Sequence, residues 1–328
     1  MAERPPPVVT LEHVARAAGV SRATVSRAVT GSGPVSADAL RRVRAAAEAL
    51  GYVADPIARA LARGTGTRLV VAMTGTSDAV LDCAYTGRVL STAARLLAPE
   101  GLGVALRRLP LHAPAAELDA LARDRTVGGV VLVNTTAEEL AAVPRELRGR
   151  VVSIGVGSAV VPSVDVDAAA AAAASVAHLV RSGRRRIAMV TGPEWLPCTR
   201  RPVAAFRAAV AAAGLPVRTV PGGFDAAAGA AGAEEVLARW PDTDAVLGSC
   251  DDVALGVLAV LRRHGRQVPG DVAVTGFDDA PLAEVTDLTT ATHPVERITD
   301  AAVRAVLTGA PADGTLFFPS ELVLRRSA

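Results

Sequence analysis

Lysine is absent from the sequence, so all 35 side chains counted as Lys or Arg are arginines. Cysteine is scarce, and three cysteines in 328 residues cannot form a disulfide scaffold for a chain of this length. No run of 18 or more strongly apolar residues is present, so the sequence predicts no transmembrane helix. Half of the residues are hydrophobic and 21% are charged, a balance typical of a folded chain and not of a disordered one.

The first residues also lack the pattern of a secretory signal peptide. Prolines and charged residues occupy MAERPPPVVTLEH, where a signal peptide has its apolar core. We therefore expect a cytoplasmic protein that has reduced thiols and does not associate with a membrane.

Familiar catalytic motifs are missing too. The sequence has no Gly-x-Ser-x-Gly elbow, no lysine for a phosphate-binding loop, and no His-Glu-x-x-His. The acidic pairs Asp251-Asp252 and Asp278-Asp279 could hold a hard cation, but a helix start and a loop account for them at least as well. We predict no catalytic residues, no cofactor and no metal site, and hence a protein that is not an enzyme.

Positive charge is concentrated at one end of the chain. The formal net charge is only +2, yet residues 1–66 carry nine arginines against five acidic residues. The other residues carry 26 arginines against 28 acids, so a basic head precedes a nearly neutral body. This asymmetry indicates a nucleic-acid contact at the head. A solvated basic face would account for an excess of four positive charges almost as well.

Residues 1–53 have the pattern of three short helices. Thr10 can cap a first helix that ends at Gly19, Ser21 can cap a second helix over 22–29, and Ser36 can cap a third. A generic helical hairpin is the alternative interpretation. A helix-turn-helix is favoured by the short turn with Gly and the capping Ser, and by an outer face formed by Arg22, Ala23, Ser26 and Arg27.

Residues 54–66 predict a hinge helix and a linker. Asp55 can cap this helix, Pro56 suits its first position, and Gly64 and Gly66 form the exit. A helix of about seven residues is marginal by itself in water, so we expect it to become ordered only against a partner.

Residues 67–328 alternate strand and helix patterns, as expected for an α/β fold. The patterns predict two lobes of similar topology, each with a doubly wound parallel sheet. The predicted strands are 68–73, 103–107, 129–133 and 151–155, followed by 186–191, 218–220, 245–248 and 271–276.

The head and hinge resemble those of the LacI/GalR (lactose-repressor type) transcription regulators, almost position by position, over VTLEHVARAAGVSRATVSRAVTGSGPVSADALRRVRAAAEALGYVADPIARALARG. The body is similar to the effector domain of that family, a periplasmic-binding-protein-like domain with a small-molecule cleft between its lobes. The resemblance covers essentially the whole chain. It implies a small all-α helix-turn-helix head joined to a two-lobed α/β effector and dimerisation domain.

The resemblance also implies a set of DNA-binding residues. The second helix would lie in the major groove, with Arg22 and Ala23 choosing bases and Arg27 contacting a base or the backbone. Leu61 would wedge into the minor groove where two hinge helices meet at Ala58, although ordinary helix packing is an alternative for Leu61. The full set is Thr10, Ser21, Arg22, Ala23, Thr24, Ser26, Arg27, Ala58, Arg59 and Leu61.

The same resemblance gives the expected lobe boundaries. Crossings between the lobes would fall near Val164–Val166, Thr289–His293 and Phe318–Pro319. The first lobe would comprise about 67–163 and 292–318, and the second about 164–291 and 319–328.

Two hinge helices and two recognition helices on one operator imply a homodimer on double-stranded DNA.

The ligand site departs from the family pattern. Pro202 stands where the family commonly has a ligand-gripping Arg, with Arg200 and Arg201 just upstream, and Cys250 stands where Asn or Asp is common. Phe224 and Asp278 do match the family pattern. Core packing accounts for Phe224, and a loop cap for Asp278, as well as ligand contact does. The effector-binding candidates are Trp195, Arg200, Arg201, Phe224 and Asp278.

These observations predict a sequence-specific DNA-binding regulator, a repressor that binds a near-palindromic operator and is modulated by a small-molecule effector such as a sugar. Because the usual Arg is absent, a regulator of the same fold that is controlled by a protein partner, or by no ligand, remains the alternative.

Overall fold

A computed structural model describes residues 9–30, 33–52, 66–76, 78–81, 83–309 and 314–328. The predicted hinge helix, with Ala58, Arg59 and Leu61, lies outside the described residues.

The head consists of three helices, α1 (Leu11–Ala18), α2 (Arg22–Thr30) and α3 (Ala37–Ala49). Their limits follow the local signals in the sequence. Gly19 ends α1 with a φ of 63°, a left-handed conformation that a glycine adopts without steric cost. The Ser36 hydroxyl accepts a hydrogen bond from the Ala39 amide at 3.3 Å and so caps α3. Val14, Val25 and Val43 are buried together where the three helices meet.

The body contains strands and helices with the following bounds. The strands are β1 (Arg68–Gly75), β2 (Gly103–Pro110), β3 (Val127–Val133), β4 (Val151–Ile154), β5 (Ser163–Val166), β6 (Ile187–Val190), β7 (Arg218–Val220), β8 (Ala245–Gly248), β9 (Ala273–Thr275), β10 (Thr290–Ala291), β11 (Thr315–Phe318) and β12 (Leu322–Val323). The helices are α4 (Ala84–Leu97), α5 (Ala115–Arg123), α6 (Ala137–Ala142), α7 (Ala168–Arg181), α8 (Arg200–Ala212), α9 (Ala226–Arg239), α10 (Asp251–Arg263), α11 (Pro281–Val285) and α12 (Val295–Thr308). The eight predicted strands are all present, with ends within three residues of the prediction.

The first lobe is built on a parallel sheet with the strand order β11-β5-β4-β3-β1-β2 in the part of the chain described. Residues of β1 alternate between two cores because successive side chains of a strand point to opposite faces. Leu69, Val71 and Met73 pack in one core with α4 and α12. Val70 and Ala72 pack in the other with α5 and α6.

The second lobe repeats this plan with the parallel order β7-β6-β8-β9. Helices α7 and α8 cover one face of this sheet, and α9 and α10 cover the other. The last two helices approach very closely at Gly256, where a Cβ atom would lie 2.1 Å from the Ala226 carbonyl oxygen. Only glycine fits there without moving a helix backbone.

The first connection between the lobes follows strand β5. Strand β5 pairs with β4 and β11, so it belongs to the first sheet, and Val164 and Val166 are buried in the core of that lobe. The first lobe therefore extends through Val166, three residues beyond the predicted boundary at 163. The two later crossings are marked by the short antiparallel pair of β10 and β12.

No helix within the described ranges is both long enough and apolar enough to cross a membrane.

Candidate functional site

The second helix of the head presents a polar surface around its N-terminus. Arg22, Ala23 and Arg27 are exposed on α2, whereas Val25, on the opposite side, is fully buried. The Thr24 amide donates to the Ser21 hydroxyl oxygen at 3.1 Å, and the two hydroxyls of Ser21 and Thr24 are 2.9 Å apart. The N-terminus of α2 is thereby fixed while its arginines face outward.

The other two described candidates of the head are Thr10 and Ser26. Thr10 is the exposed N-cap of α1, and its amide donates to His13 Nδ1 at 3.3 Å. Ser26 is half-buried on α2. Thr10 therefore lies at the start of α1, and the other described DNA-binding candidates extend from Ser21, just before α2, to Arg27 in its last turn.

A cavity of about 550 Å³ lies between the two lobes. Gly75 and Val133 contribute to its lining at the carboxyl ends of β1 and β3, and Gly248 does so at the carboxyl end of β8. Ligands of open parallel sheets bind in this kind of crevice, outside the carboxyl ends of the strands. The cavity is therefore the candidate ligand site of the body.

Four of the five predicted effector residues line this cavity, namely Trp195, Arg201, Phe224 and Asp278. Pro202 and Cys250, the two positions that depart from the family pattern, line it as well. Arg200 does not: it is exposed at the first residue of α8. Consecutive side chains of a helix point about 100° apart, so only one of the two neighbouring arginines reaches the cavity.

Arg201 contacts the first lobe from the second. Its guanidinium lies 3.5 Å from Asp167 Oδ1 and 3.9 Å from Asp165 Oδ2, and its Cζ is 4.1 Å from the centre of the Phe317 ring. Its charge is thus already engaged by two carboxylates and an aromatic face.

Arg88, on α4 of the first lobe, makes the corresponding contact from the other side. Its Nε and Nη2 each donate to the Glu296 carboxylate at 2.9 Å. Its Nη1 donates to the Asp278 carbonyl at 3.2 Å, and its Nη2 to the His293 carbonyl at 3.2 Å. Sequence reasoning missed Arg88, because its partners lie about 200 residues away and no local pattern marks it.

Asp278 is held in an uncommon backbone conformation at the cavity. Its φ is 117°, and its amide donates to the Ala291 carbonyl at 2.9 Å. Its Oδ1 is 2.9 Å from His293 Nδ1, and the His293 ring lies between Tyr85 and Phe277 at centroid distances of 5.2 and 5.3 Å. Strained non-glycine residues cluster at functional sites, which favours a ligand role for this carboxylate over a simple loop cap.

The head and the body of the chain each match a model of a known protein family. A family model described as "Bacterial regulatory proteins, lacI family" matches residues 10–55, and one described as "Periplasmic binding protein-like domain" matches 176–328. The HTH-type transcriptional regulator CelR of Thermobifida fusca is 33% identical over 309 residues, which cover 88% of this chain and 87% of the relative. The chain belongs to the LacI family of regulators.

Other members of the LacI family match along nearly their whole length. The HTH-type transcriptional regulator MalR of Streptomyces coelicolor is 32% identical, covering 97% of this chain and 96% of the relative. The solved CelR–cellobiose complex has a TM-score of 0.71 at 29% identity and covers 98% of this chain and all of that one. The lac repressor dimer bound to operator and the anti-inducer ONPF has a TM-score of 0.82 at 22% identity, covers 98% of this chain and 99% of that one, and shares the fold.

These matches confirm the predicted family, fold and class of function. This LacI-family protein is a DNA-binding transcriptional regulator with a periplasmic-binding-protein-like domain, and it is not an enzyme. The roles of individual residues at the head and in the cavity stay predictions.

Burial dominates the electrostatics of the cavity in this LacI-family protein. It raises the pKa of Asp165 and Asp252, and it raises that of Asp251 to about 7. Asp251 is nevertheless well bonded, because the Thr290 hydroxyl donates to its Oδ1 at 2.6 Å and the Ala280 amide to its Oδ2 at 2.8 Å. Burial also raises the pKa of Cys198 to about 12, so this cavity-lining cysteine is a neutral thiol and no nucleophile.

Replacing Arg201 by alanine is expected to lower the free energy of unfolding of the body only modestly, by up to about 1 kcal/mol. The side chain is 41% exposed, and ion pairs with this much solvent contact contribute little. Urea unfolding of both proteins measures the difference. Arg200→Ala, on the same helix but outside the cavity, is the matched control, and equal unfolding midpoints for the two variants would contradict a role for Arg201 between the lobes.

Proposed function

We propose that this protein represses transcription by binding a near-palindromic operator as a homodimer, and that a small molecule in the cavity between its lobes changes its affinity for DNA. The protein then acts in the cytoplasm, where its DNA is. The observation that carries the proposal is a cavity lined by both lobes in a chain whose helix-turn-helix presents Arg22 and Arg27 to solvent. The solved complex of CelR with cellobiose supports a polar small molecule as the class of effector.

The contacts across the cavity give a route from ligand to DNA. Arg201 joins α8 to β5 and β11, and Arg88 joins α4 to the backbone at Asp278. A molecule that touches both lobes at these points stabilises one relative position of the lobes over another. The hinge segments of two protomers would then meet, or separate, over the operator.

Selection of bound fragments from a random duplex library tests the DNA-binding part. We expect enrichment of a near-palindrome whose half-sites are about one helical turn apart, with affinity that falls steeply as salt increases. Recovery of fragments with no shared sequence would contradict the proposal.

Thermal unfolding with candidate metabolites tests the effector part, since a ligand that binds only the folded state raises the melting temperature. An active compound must also change the fluorescence anisotropy of a labelled operator at sub-saturating protein. A compound that raises the melting temperature without changing operator binding would contradict control through the cavity.

One feature supports a second candidate, a regulator of the same fold that answers to a protein partner or to no ligand. Pro202 offers no donor where the family pattern has a ligand-gripping Arg, and the charge of Arg201 is engaged by Asp165 and Asp167. Operator binding that no metabolite alters, together with an unchanged melting temperature, would favour this second candidate.

A further inference from the structure

We infer that the effector of this regulator is an organic cation, a polar primary amine such as an amino sugar, and neither an anion nor a neutral sugar. The inference rests on the proposed function, because it assigns the chemistry of the ligand in the same cavity between the lobes. It comes from the balance of charge around that cavity and from which of those charges already have protein partners.

Carboxylates outnumber cations in the cavity. Among the described lining residues, the permanent cations are Arg88 and Arg201. The acids are Asp165, Glu194, Asp225, Asp252 and Asp278, together with Asp251, whose pKa of about 7 leaves it mostly uncharged at pH 6.5. An anionic ligand would bring further negative charge into this half-enclosed space, whereas a cationic ligand reduces the imbalance.

Neither arginine is left to neutralise the remaining acids or to hold a ligand carboxylate or phosphate. Arg88 is bonded in a bidentate manner to Glu296, with both N–O distances at 2.9 Å, and Arg201 faces Asp165 and Asp167. A guanidinium that already faces a carboxylate has little attraction left for a second one.

Asp252 is one of the cavity carboxylates to which the described part of the protein gives no ion-pair partner. It is half-buried in the first turn of α10 and has no hydrogen-bond or ion-pair partner within the described part of the chain. Burial and the nearby negative charges of Asp278 and Asp225 raise the pKa of Asp252. Asp278 already contacts His293 Nδ1, and Asp225 already accepts from the Ala228 amide. An ammonium group placed beside Asp252 would therefore relieve this repulsion and provide the donor that Asp252 lacks.

Aromatic rings complete the environment of a cation. Trp195 and Phe224 line the same cavity, and the face of such a ring attracts an ammonium or an alkylammonium group. The cavity itself, which spans the carboxyl ends of both sheets, defines the site. The acidic and aromatic side chains determine which class of ligand the cavity selects.

Three probes that share one hexose skeleton test the inference by isothermal titration calorimetry: glucosamine, N-acetylglucosamine and glucuronate, at pH 6.5. We expect glucosamine to bind at least ten times more tightly than N-acetylglucosamine and glucuronate not to bind. Equal or tighter binding of the neutral or anionic probe overturns the inference and leaves the proposed effector function standing. If none of the three probes binds, the inference fails in its amino-sugar form.

Tryptophan fluorescence provides a test that needs no ligand. Trp240 lies below Arg218 and Arg239, at 5.7 and 4.6 Å from the ring centre, so Trp240→Phe leaves Trp195 as the only tryptophan. With each quenching constant divided by that of free N-acetyltryptophanamide, we expect caesium ions to quench Trp195 in this variant more strongly than iodide does, because the cavity attracts cations. A larger relative quenching constant for iodide overturns the inference, whatever the hexose probes do.

Replacing one cavity carboxylate is expected to change both the affinity for glucosamine and the quenching of Trp195. Asp252→Asn keeps the size of the side chain and is expected to weaken glucosamine binding at least fivefold and to reduce quenching by caesium. Asp119→Asn, exposed on α5 outside the cavity, is the matched control and should change neither. Unchanged quenching and unchanged glucosamine affinity in Asp252→Asn would contradict the role of this carboxylate. If the unmodified protein did not bind DNA sequence-specifically, the proposed function would be contradicted instead.

Discussion

Replacing Arg22 by alanine is expected to weaken operator binding by about two to three orders of magnitude. Arg22 is exposed at the first residue of α2, the helix that the family resemblance places in the major groove. A bidentate contact from an arginine to guanine discriminates by about 1–3 kcal/mol, and a dimer loses that contact in both half-sites. Non-specific binding should change much less, because it depends on phosphate contacts along the whole head.

Fluorescence anisotropy with the selected operator and with an unrelated duplex measures both effects for the Arg22→Ala protein. Arg41→Ala is the matched control: Arg41 is also exposed in the head, but it lies on α3 and pairs with Asp38 at 3.1 Å. We expect the control to bind the operator nearly as the unmodified protein does. If Arg22→Ala kept its preference for the operator over the unrelated duplex, Arg22 would not be a base-reading residue.

The helices of the head could be predicted to within a residue because their limits depend on local chemistry. Ser21 and Ser36 accept hydrogen bonds from amides three residues ahead, and Gly19 adopts the left-handed conformation that ends a helix. Each of these signals acts within four residues, so the sequence alone contains it.

The edge of the first sheet could not be predicted in the same way. Strand β11 pairs with β5 across about 150 residues, with Leu316 opposite Val164 and Phe318 opposite Val166. Short strands of this kind resemble connections in a sequence, and only the pairing partner distinguishes them. The sequence pattern near Val164–Val166 therefore could not distinguish the last residues of this strand from the connection that follows it.

The cavity was predicted in its location and only partly in its chemistry. Trp195, Phe224 and Asp278 follow strand ends, which parallel sheets bring to one edge, and all three line the cavity. The choice between Arg200 and Arg201 depends on the orientation of α8, which the lobes set together. Asp165 and Arg88 were missed because only tertiary structure brings them to the ligand site.

Glu139 is expected to make the stability of the first lobe decrease as pH rises. It is fully buried in α6, where its Oε2 accepts a hydrogen bond from the Thr74 hydroxyl at 2.5 Å and its Oε1 has no partner in the described structure. Burial raises its pKa from 4.5 to about 7. Hydrogen bonds from the Thr74 side chain and the Thr136 backbone lower this pKa, but they only partly offset the effect of burial. Thr74 immediately precedes the cavity-lining Gly75 and Thr76, so this carboxyl lies directly behind the cavity wall.

The direction of the pH effect follows from the two protonation states. Below about pH 4.5 the carboxyl is protonated in both the folded and the unfolded chain, so it contributes no pH dependence. Between about pH 4.5 and 7 the unfolded chain releases the proton and the folded chain keeps it, so stability falls as pH rises. Above pH 7 the full penalty persists, and it is about 3 kcal/mol for a rise from 4.5 to about 7 at about 1.36 kcal/mol for each pKa unit.

Glu139→Gln removes the titrating group and keeps an oxygen for the Thr74 hydroxyl. We therefore expect the variant to be more stable than the unmodified protein at pH 8, by up to about 3 kcal/mol, and to lose this advantage at pH 5. Urea unfolding at the two pH values measures the difference. Glu138→Gln is the control, since Glu138 is the exposed neighbour in the same helix and should follow the unmodified protein at both values. Parallel pH profiles for Glu139→Gln and the unmodified protein would show that the buried carboxyl does not titrate in this range.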